Sequence, residues 1–149
     1  MYMVSACLVG INCRYDGKNT LDEKLAQLVR EGRAIPLCPE VLGDLPTPRE
    51  SCEIQLTEDG RRVVMSRAGT NCTSEYTEGA RRTLEICRIA GITKAVLQQR
   101  SPSCGCGRIY DGTFSGRLIE GNGITTELLK ANGIDVYTAE TWEAELQDR

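Results

Sequence analysis

Strand-like and helix-like segments alternate along this 149-residue chain, and the alternation restricts its fold more than any other feature. Short apolar runs of strand length occupy residues 2–8, 34–38, 94–98 and 134–137. Helical patterns occupy the intervals between them, at residues 21–32, 73–91 and 123–133. This order implies right-handed crossovers, so it predicts one Rossmann-like α/β domain over residues 1–149, with a mainly parallel sheet between two layers of helices.

The segments outside this alternation are shorter and richer in turn residues. Residues 53–56 and 62–66 are strand-like and flank a Thr-Glu-Asp-Gly sequence, which predicts a small hairpin. The prolines within residues 41–52 predict an extended loop without regular structure. Residues 109–121 predict turns with short extended pieces, and a short helix at 141–146 is expected to close the chain.

The chain has eight cysteines and no histidine. A domain of this length buries roughly two-thirds of its unfolded surface, so it does not need disulfides to fold. The N-terminal residues lack a signal-peptide pattern, and no segment approaches the roughly 18 apolar residues of a membrane span. We therefore expect a cytoplasmic protein with reduced thiols, in which cysteines bind a metal or perform thiol chemistry. Without imidazoles, the chemistry depends on thiolates, carboxylates and hydroxyls.

The charge distribution indicates what kind of partner to expect. The formal net charge is −3, and lysines and arginines are not clustered. This argues against a large nucleic-acid surface, because such surfaces are strongly basic. We expect a small-molecule partner and no membrane association.

A turn-rich loop at residues 100–108 contains two cysteines and directly follows an apolar run. In open parallel sheets, ligands bind beyond the carboxyl ends of the strands. Cys7, Cys38 and the 101–106 segment each follow a predicted strand, so they are expected to meet at one edge of the sheet. Thiolates gathered in this way suit zinc, copper(I) or an iron–sulfur cluster, and the pattern does not choose among these. The chain has no Cys-x-x-Cys, which excludes the zinc-ribbon, thioredoxin and ferredoxin signatures.

Six sequence blocks, in order from Ser5 onward, carry a more specific signal. They are Ser5-Ala-Cys-Leu-Val-Gly, Cys13-Arg-Tyr-Asp-Gly, Cys38-Pro-Glu, Pro48-Arg, Ser101-Pro-Ser-Cys-Gly and Ile109-Tyr-Asp-Gly-Thr-Phe-Ser-Gly. Together they resemble the thiouracil desulfurase (TudS) family, over most of the chain. The resemblance implies a [4Fe-4S] cluster held by only three cysteines, whose remaining iron takes sulfur from a thiolated pyrimidine without net redox change.

The resemblance also implies which residues form the site. Cys7, Cys38 and Cys104 match the positions of the cluster ligands. Glu40 matches a carboxylate that accepts a proton from water, and Ser101 matches a hydroxyl that orients the water or donates to the ring. The sulfur would leave as hydrosulfide. The substrate would be a thiopyrimidine such as 2-thiouracil or 4-thiouracil, as the base, nucleoside or nucleotide.

Several alternatives stay open on the sequence alone. One alternative is that Cys13, Cys52 or Cys106 replaces one of the three proposed ligands. Another is that Ser103, rather than Ser101, supplies the catalytic hydroxyl. A different class of protein would be a non-catalytic module that holds structural zinc or a labile cluster. A third hypothesis is a sulfurtransferase in which Cys104 and Cys106 carry a persulfide. Cys87 lies among apolar residues of a helical pattern and is expected to be a core residue.

Overall fold

Four parallel strands form the central sheet of the computed structural model, which describes residues 1–147. The strands are β1 (Tyr2–Ser5), β2 (Ala34–Leu37), β5 (Lys94–Leu97) and β8 (Asp135–Thr138). Their order is β2-β1-β5-β8, with every neighbouring pair parallel. The predicted parallel sheet is confirmed, and β1 and β5 occupy its centre.

Helices cover both faces of this sheet, as the alternating pattern predicted. They are α1 (Glu23–Arg30), α3 (Thr73–Ala90), α4 (Ile124–Ala131) and α5 (Trp142–Gln147). Val4 of β1 shares a core with residues of α1 and α5, whereas its neighbour Met3 shares a second core with residues of α3 and α4. Adjacent residues of a strand point to opposite faces, so the two cores lie on opposite sides of the sheet. Cys87 is fully buried in the second core, as expected.

Strand β2 contains Pro36, which pairs in register with Val4. Proline has no N–H to donate and is therefore found at sheet edges. β2 is the edge strand, so this proline is compatible with the sheet.

Two hairpins lie outside the central sheet. The predicted one is confirmed as β3 (Cys52–Leu56) paired antiparallel with β4 (Arg62–Ser66). A second pair, β6 (Arg108–Tyr110) and β7 (Leu118–Glu120), forms where the sequence predicted only turns and short extended pieces. None of the helices in residues 1–147 is long and apolar enough to cross a membrane.

The loop predicted for residues 41–52 begins later than expected, because α2 (Pro39–Leu42) forms directly after β2. Pro39 occupies the start of this helix, where proline is favoured because the first N–H groups have no helical partner. The prolines later in this segment prevent regular structure only in the residues that follow the helix. The consequence for the site is that Glu40 lies in the first turn of a helix rather than in a flexible segment.

Helices α2 and α3 pack closely through two glycines, Gly43 and Gly79. A Cβ added at Gly79 would overlap the carbonyl oxygen of Pro39, and one added at Gly43 would overlap that of Glu75. Only glycine permits such a close approach of two backbones. This contact fixes α2, and therefore Glu40, against the long helix α3.

We expect Gly79→Ala to destabilise the protein by about 1–3 kcal/mol, because overpacking outweighs the gain in helix propensity of about 1 kcal/mol. Urea unfolding followed by circular dichroism measures the effect. Thr77→Ala, on the exposed side of the same helix, is the matched control and should change stability little. Equal stabilities of the two variants would show that the close packing at Gly79 is unimportant.

Candidate active site

A cavity of about 500 Å³ opens where the carboxyl ends of β1, β2 and β5 meet. Five cysteines line it, namely Cys7, Cys13, Cys38, Cys52 and Cys104. Its other polar lining residues include Glu40, Arg49 and Ser101. All five site residues expected from the sequence therefore border one cavity, together with two thiols whose place the sequence left open.

Cys13 lies between two of the expected ligands. Its thiol lies beside the thiols of both Cys7 and Cys38, and the Cys38 Sγ atom lies 3.8 Å from the Cys13 carbonyl oxygen. The Cys38 contact lowers the pKa of Cys13, but the Cys7 contact and burial outweigh it and raise this pKa to about 11. The pKa of Cys38 is also raised, by its hydrogen bond to Cys13 and by burial. Three thiols from separate segments thus form one contiguous sulfur surface.

Cys104 reaches the cavity from the loop that follows β5 and is 3% exposed. Burial is the main cause that raises the pKa of Cys104, and the negative charge of Glu40 raises it further. Its thiol contacts the hydroxyls of Ser5 and Ser103. The Ser5 hydroxyl also accepts a hydrogen bond of 2.9 Å from the Gln98 backbone, which ties the ends of β1 and β5 together.

Cys106, two residues further along the loop, is half-buried and does not line the cavity. The loop therefore presents Cys104 to the other thiols and directs Cys106 elsewhere.

Glu40 forms a buried ion pair with Arg49. The Arg49 guanidinium lies 2.9 Å from the Glu40 carboxylate, and the two side chains are 5% and 13% exposed, respectively. Arg49 also donates hydrogen bonds to the carbonyl oxygens of Cys13, at 3.0 Å, and Pro46, at 3.2 Å. Burial would lower the Arg49 pKa, but the charge and hydrogen bond of Glu40, together with the nearby Cys38 and Tyr76, outweigh burial and raise that pKa. One arginine thus fixes the carboxylate to the loop that carries Cys13.

Ser101 and Ser103 have different surroundings. The Ser101 hydroxyl oxygen accepts hydrogen bonds from the backbone N–H groups of Cys104, at 2.6 Å, and Ser103, at 3.2 Å. Within the part of the chain that the structure describes, its own proton has no acceptor and can be donated to a ligand. Ser103 is fully buried, bonds Thr125 at 2.7 Å and does not line the cavity.

Tyr76 of α3 is a cavity residue that no sequence pattern indicated. Its hydroxyl lies beside the Cys52 thiol, and burial, followed by the charge of Glu40, raises its pKa. Burial likewise raises the pKa of Cys52 to about 11. A tyrosine within an amphipathic helix has no distinctive spacing, so the sequence carries no signal for Tyr76. Arg49, in contrast, belongs to the Pro-Arg block of the family motifs.

The donor atoms at this cavity are suited to an iron–sulfur cluster. Thiols are soft ligands, and the cysteines of such a cluster each bind a different iron atom. Cysteine thiols gathered at one cavity, in a chain without histidine, match the ligands that such clusters use.

Similarity to known proteins identifies the family of this chain. Residues 2–141 match the model of the 2-thiouracil desulfurase family. The chain belongs to this family. The resemblance noted in the sequence is thus confirmed.

Two known proteins are similar to this chain over almost its entire length. An uncharacterised protein, YbbK of Bacillus subtilis strain 168, is 42% identical over 99% of both chains. The solved structure of a [4Fe-4S]-dependent thiouracil desulfidase, TudS, is 41% identical and superimposes with a TM-score of 0.87. That similarity covers 96% of this chain and 93% of the TudS chain.

The buried ion pair gives a stability prediction. We expect Arg49→Met to lower the free energy of unfolding by about 3–5 kcal/mol, because it leaves the Glu40 carboxylate buried without its partner. The double variant with Glu40→Gln should lose less than the sum of the two single changes. Anaerobic urea titrations measure both. Arg81→Met, which breaks exposed pairs with Glu78 and Glu85, should cost under about 1 kcal/mol. A strictly additive double variant would contradict the coupling.

Proposed function

We propose that this protein is a [4Fe-4S]-dependent thiouracil desulfidase that acts on a small thiopyrimidine in the cytoplasm. The observation that carries the proposal is the composition of one cavity, which combines five cysteine thiols with an arginine-bound carboxylate and a serine hydroxyl. Membership of the desulfurase family and the likeness to TudS support it. The net reaction replaces a thiocarbonyl sulfur with the oxygen of water and releases hydrosulfide, so no external electron donor is needed.

Cys7, Cys38 and Cys104 are the residues that would hold the cluster. Each follows the carboxyl end of a different strand of the central sheet, so the sheet brings them to the same cavity. When bound, the cluster supplies a thiophilic Lewis-acidic iron that makes the ring carbon next to the substrate sulfur more electrophilic. Cys13 touches two of these thiols, and it is the alternative ligand that the geometry keeps open.

Glu40 acts as the general base in this proposal. Its carboxylate borders the cavity, and Arg49 restrains its orientation, so it can accept a proton from a water molecule that attacks the ring carbon. The same proton can then pass to a ring nitrogen or to the leaving sulfur. A base held in place in this way needs little reorganisation before proton transfer.

Ser101 orients the reactants. Two backbone N–H groups already occupy its oxygen as an acceptor, so the hydroxyl proton is directed to a third partner. A water oxygen or a carbonyl oxygen of the pyrimidine in the cavity would accept it. Burial of Ser103 away from the cavity supports Ser101 for this role.

The decisive experiment is anaerobic reconstitution with iron and sulfide, followed by an assay with 2-thiouracil and 4-thiouracil. Loss of thiobase absorbance with one hydrosulfide released per base is the expected result. A fully loaded protein that converts no thiobase, thionucleoside or thionucleotide would overturn the proposal. Metal analysis tests the zinc-module hypothesis, which predicts one zinc and no iron. The persulfide hypothesis has no support from the geometry, because Cys106 lies outside the cavity.

A further inference from the structure

Phe114 is the single phenylalanine of the chain, and it lies in the cavity wall rather than in either core of the sheet. It belongs to the loop of residues 111–117 that connects β6 to β7. Its side chain is half-buried, so part of the ring is available to a ligand. The proposed chemistry at the thiols and Glu40 gives this residue no role.

The backbone at Phe114 is held in an unfavourable conformation. Its φ is 56°, in the left-handed region that bulky residues rarely adopt. Such a conformation persists only where the surroundings fix it, and it is found most often at functional sites. Phe114 therefore occupies a place that the fold specifically maintains.

A buried carboxylate fixes the loop to the β3–β4 hairpin. The Glu53 side chain accepts hydrogen bonds from the backbone N–H groups of Gly112, at 2.9 Å, and Phe114, at 3.1 Å. The Gln55 side chain donates a third bond, of 2.8 Å, to the Gly112 carbonyl oxygen. These contacts come from neighbouring positions of one strand, so they set both the position and the direction of the loop.

Arg67 covers the Phe114 ring from the end of β4. Its guanidinium carbon lies 5.1 Å from the ring centroid, within the range of a cation–π contact. Arg67 also lines the cavity. Both the phenyl ring and the guanidinium are planar groups that stack on heteroaromatic rings. The cavity wall thus offers a paired, pre-positioned stacking surface.

We propose that Phe114, supported by Arg67, binds the planar heterocyclic ring of the substrate and selects thiopyrimidines over non-aromatic thiocarbonyl compounds. The inference rests on the proposed desulfidase function and adds the element that recognises the ring. Stacking acts on the substrate before and during the reaction alike, so it contributes to binding more than to the chemical step.

The test compares cluster-loaded wild type with Phe114→Leu. We expect KM for thiouracil to rise about tenfold while kcat changes less than about threefold, in line with the loss of one base–aromatic stack. Thiourea, which has no aromatic ring, should be converted equally poorly by both proteins. Phe114→Tyr should restore the wild-type KM. Tyr137→Leu, an aromatic change on β8 outside the cavity lining, is the matched control and should leave KM unchanged.

A binding measurement separates this inference from the function on which it rests. Uracil carries no sulfur, so calorimetric titration of loaded protein with uracil reports ring binding without turnover. Weaker uracil binding by Phe114→Leu, together with an inactive wild type, would remove the desulfidase function and keep the ring site. An active wild type with unchanged KM and unchanged uracil affinity in Phe114→Leu would overturn the ring site and keep the function. If Phe114→Leu folds poorly, Arg67→Gln tests the proposal instead, because Arg67 is exposed. A higher KM for thiouracil is the expected result. An unchanged KM would contradict the proposal.

Discussion

Glu40→Gln is expected to lower the turnover of thiouracil by roughly 10²–10⁴-fold while the bound iron stays at the wild-type level. Glutamine keeps the size of the side chain and its carbonyl oxygen still accepts a hydrogen bond from Arg49, so the cavity should retain its shape. It cannot accept a proton from water, which removes the proposed base. Sulfide release and iron content, measured on the same anaerobic preparation, report the two properties separately.

Glu85→Gln is the matched control, because Glu85 is an exposed carboxylate on α3 that also pairs with an arginine. It should leave turnover and iron content unchanged. Wild-type turnover in Glu40→Gln would remove Glu40 from the proton transfer. A parallel loss of iron would instead assign Glu40 to holding the cluster.

Cys104→Ser is expected to lose most of its cluster, with bound iron below about one-tenth of the wild-type value, and to lose all activity. A hydroxyl binds iron far less well than a thiolate, and Cys104 is the thiol that the β5 loop contributes to the cavity. Serine is close to cysteine in size and Cys104 already contacts two hydroxyls, so the fold should persist. Iron analysis and the visible absorption of the reconstituted protein measure the loss.

The neighbouring Cys106→Ser is the control for this variant. It changes the same atom two residues along the same loop, outside the cavity, and should keep both iron and activity. Serine variants of Cys7, Cys13 and Cys38 complete the series. We expect Cys7→Ser and Cys38→Ser to lose iron and Cys13→Ser to retain it. The opposite result for Cys7 and Cys13 would exchange their roles in the ligand set.

The sheet and its helices were predictable because each element has a local signature. Short apolar runs, helical periodicity and Gly91 at the end of α3 are properties of neighbouring residues in the chain. The rule that ligands bind at the carboxyl ends of parallel strands then sufficed to expect Cys7, Cys38 and the 101–106 loop at one edge, and the family resemblance implied Cys104 within that loop. α2 was missed because its single turn is too short for a periodic pattern, and prolines nearby indicated a loop.

The contacts within the cavity were not predictable in the same way. The Glu40–Arg49 pair joins residues on either side of an irregular loop, and the Tyr76–Cys52 contact joins α3 to β3. No periodicity relates such positions. The preference for Ser101 over Ser103 depends on which hydroxyl the turn directs into the cavity, and that direction follows from side-chain packing rather than from the residue type.

The sequence by itself determined the order of the elements, the parallel sheet, the family and the edge at which the thiols gather, because these follow from local patterns and from motif blocks. Only the tertiary structure decided that Cys13 touches Cys7 and Cys38, that Arg49 restrains Glu40, and that a strained loop presents Phe114 to the cavity. These are distances between side chains of separate elements. They depend on the packing of the sheet, helices and hairpins against one another, which no local pattern encodes.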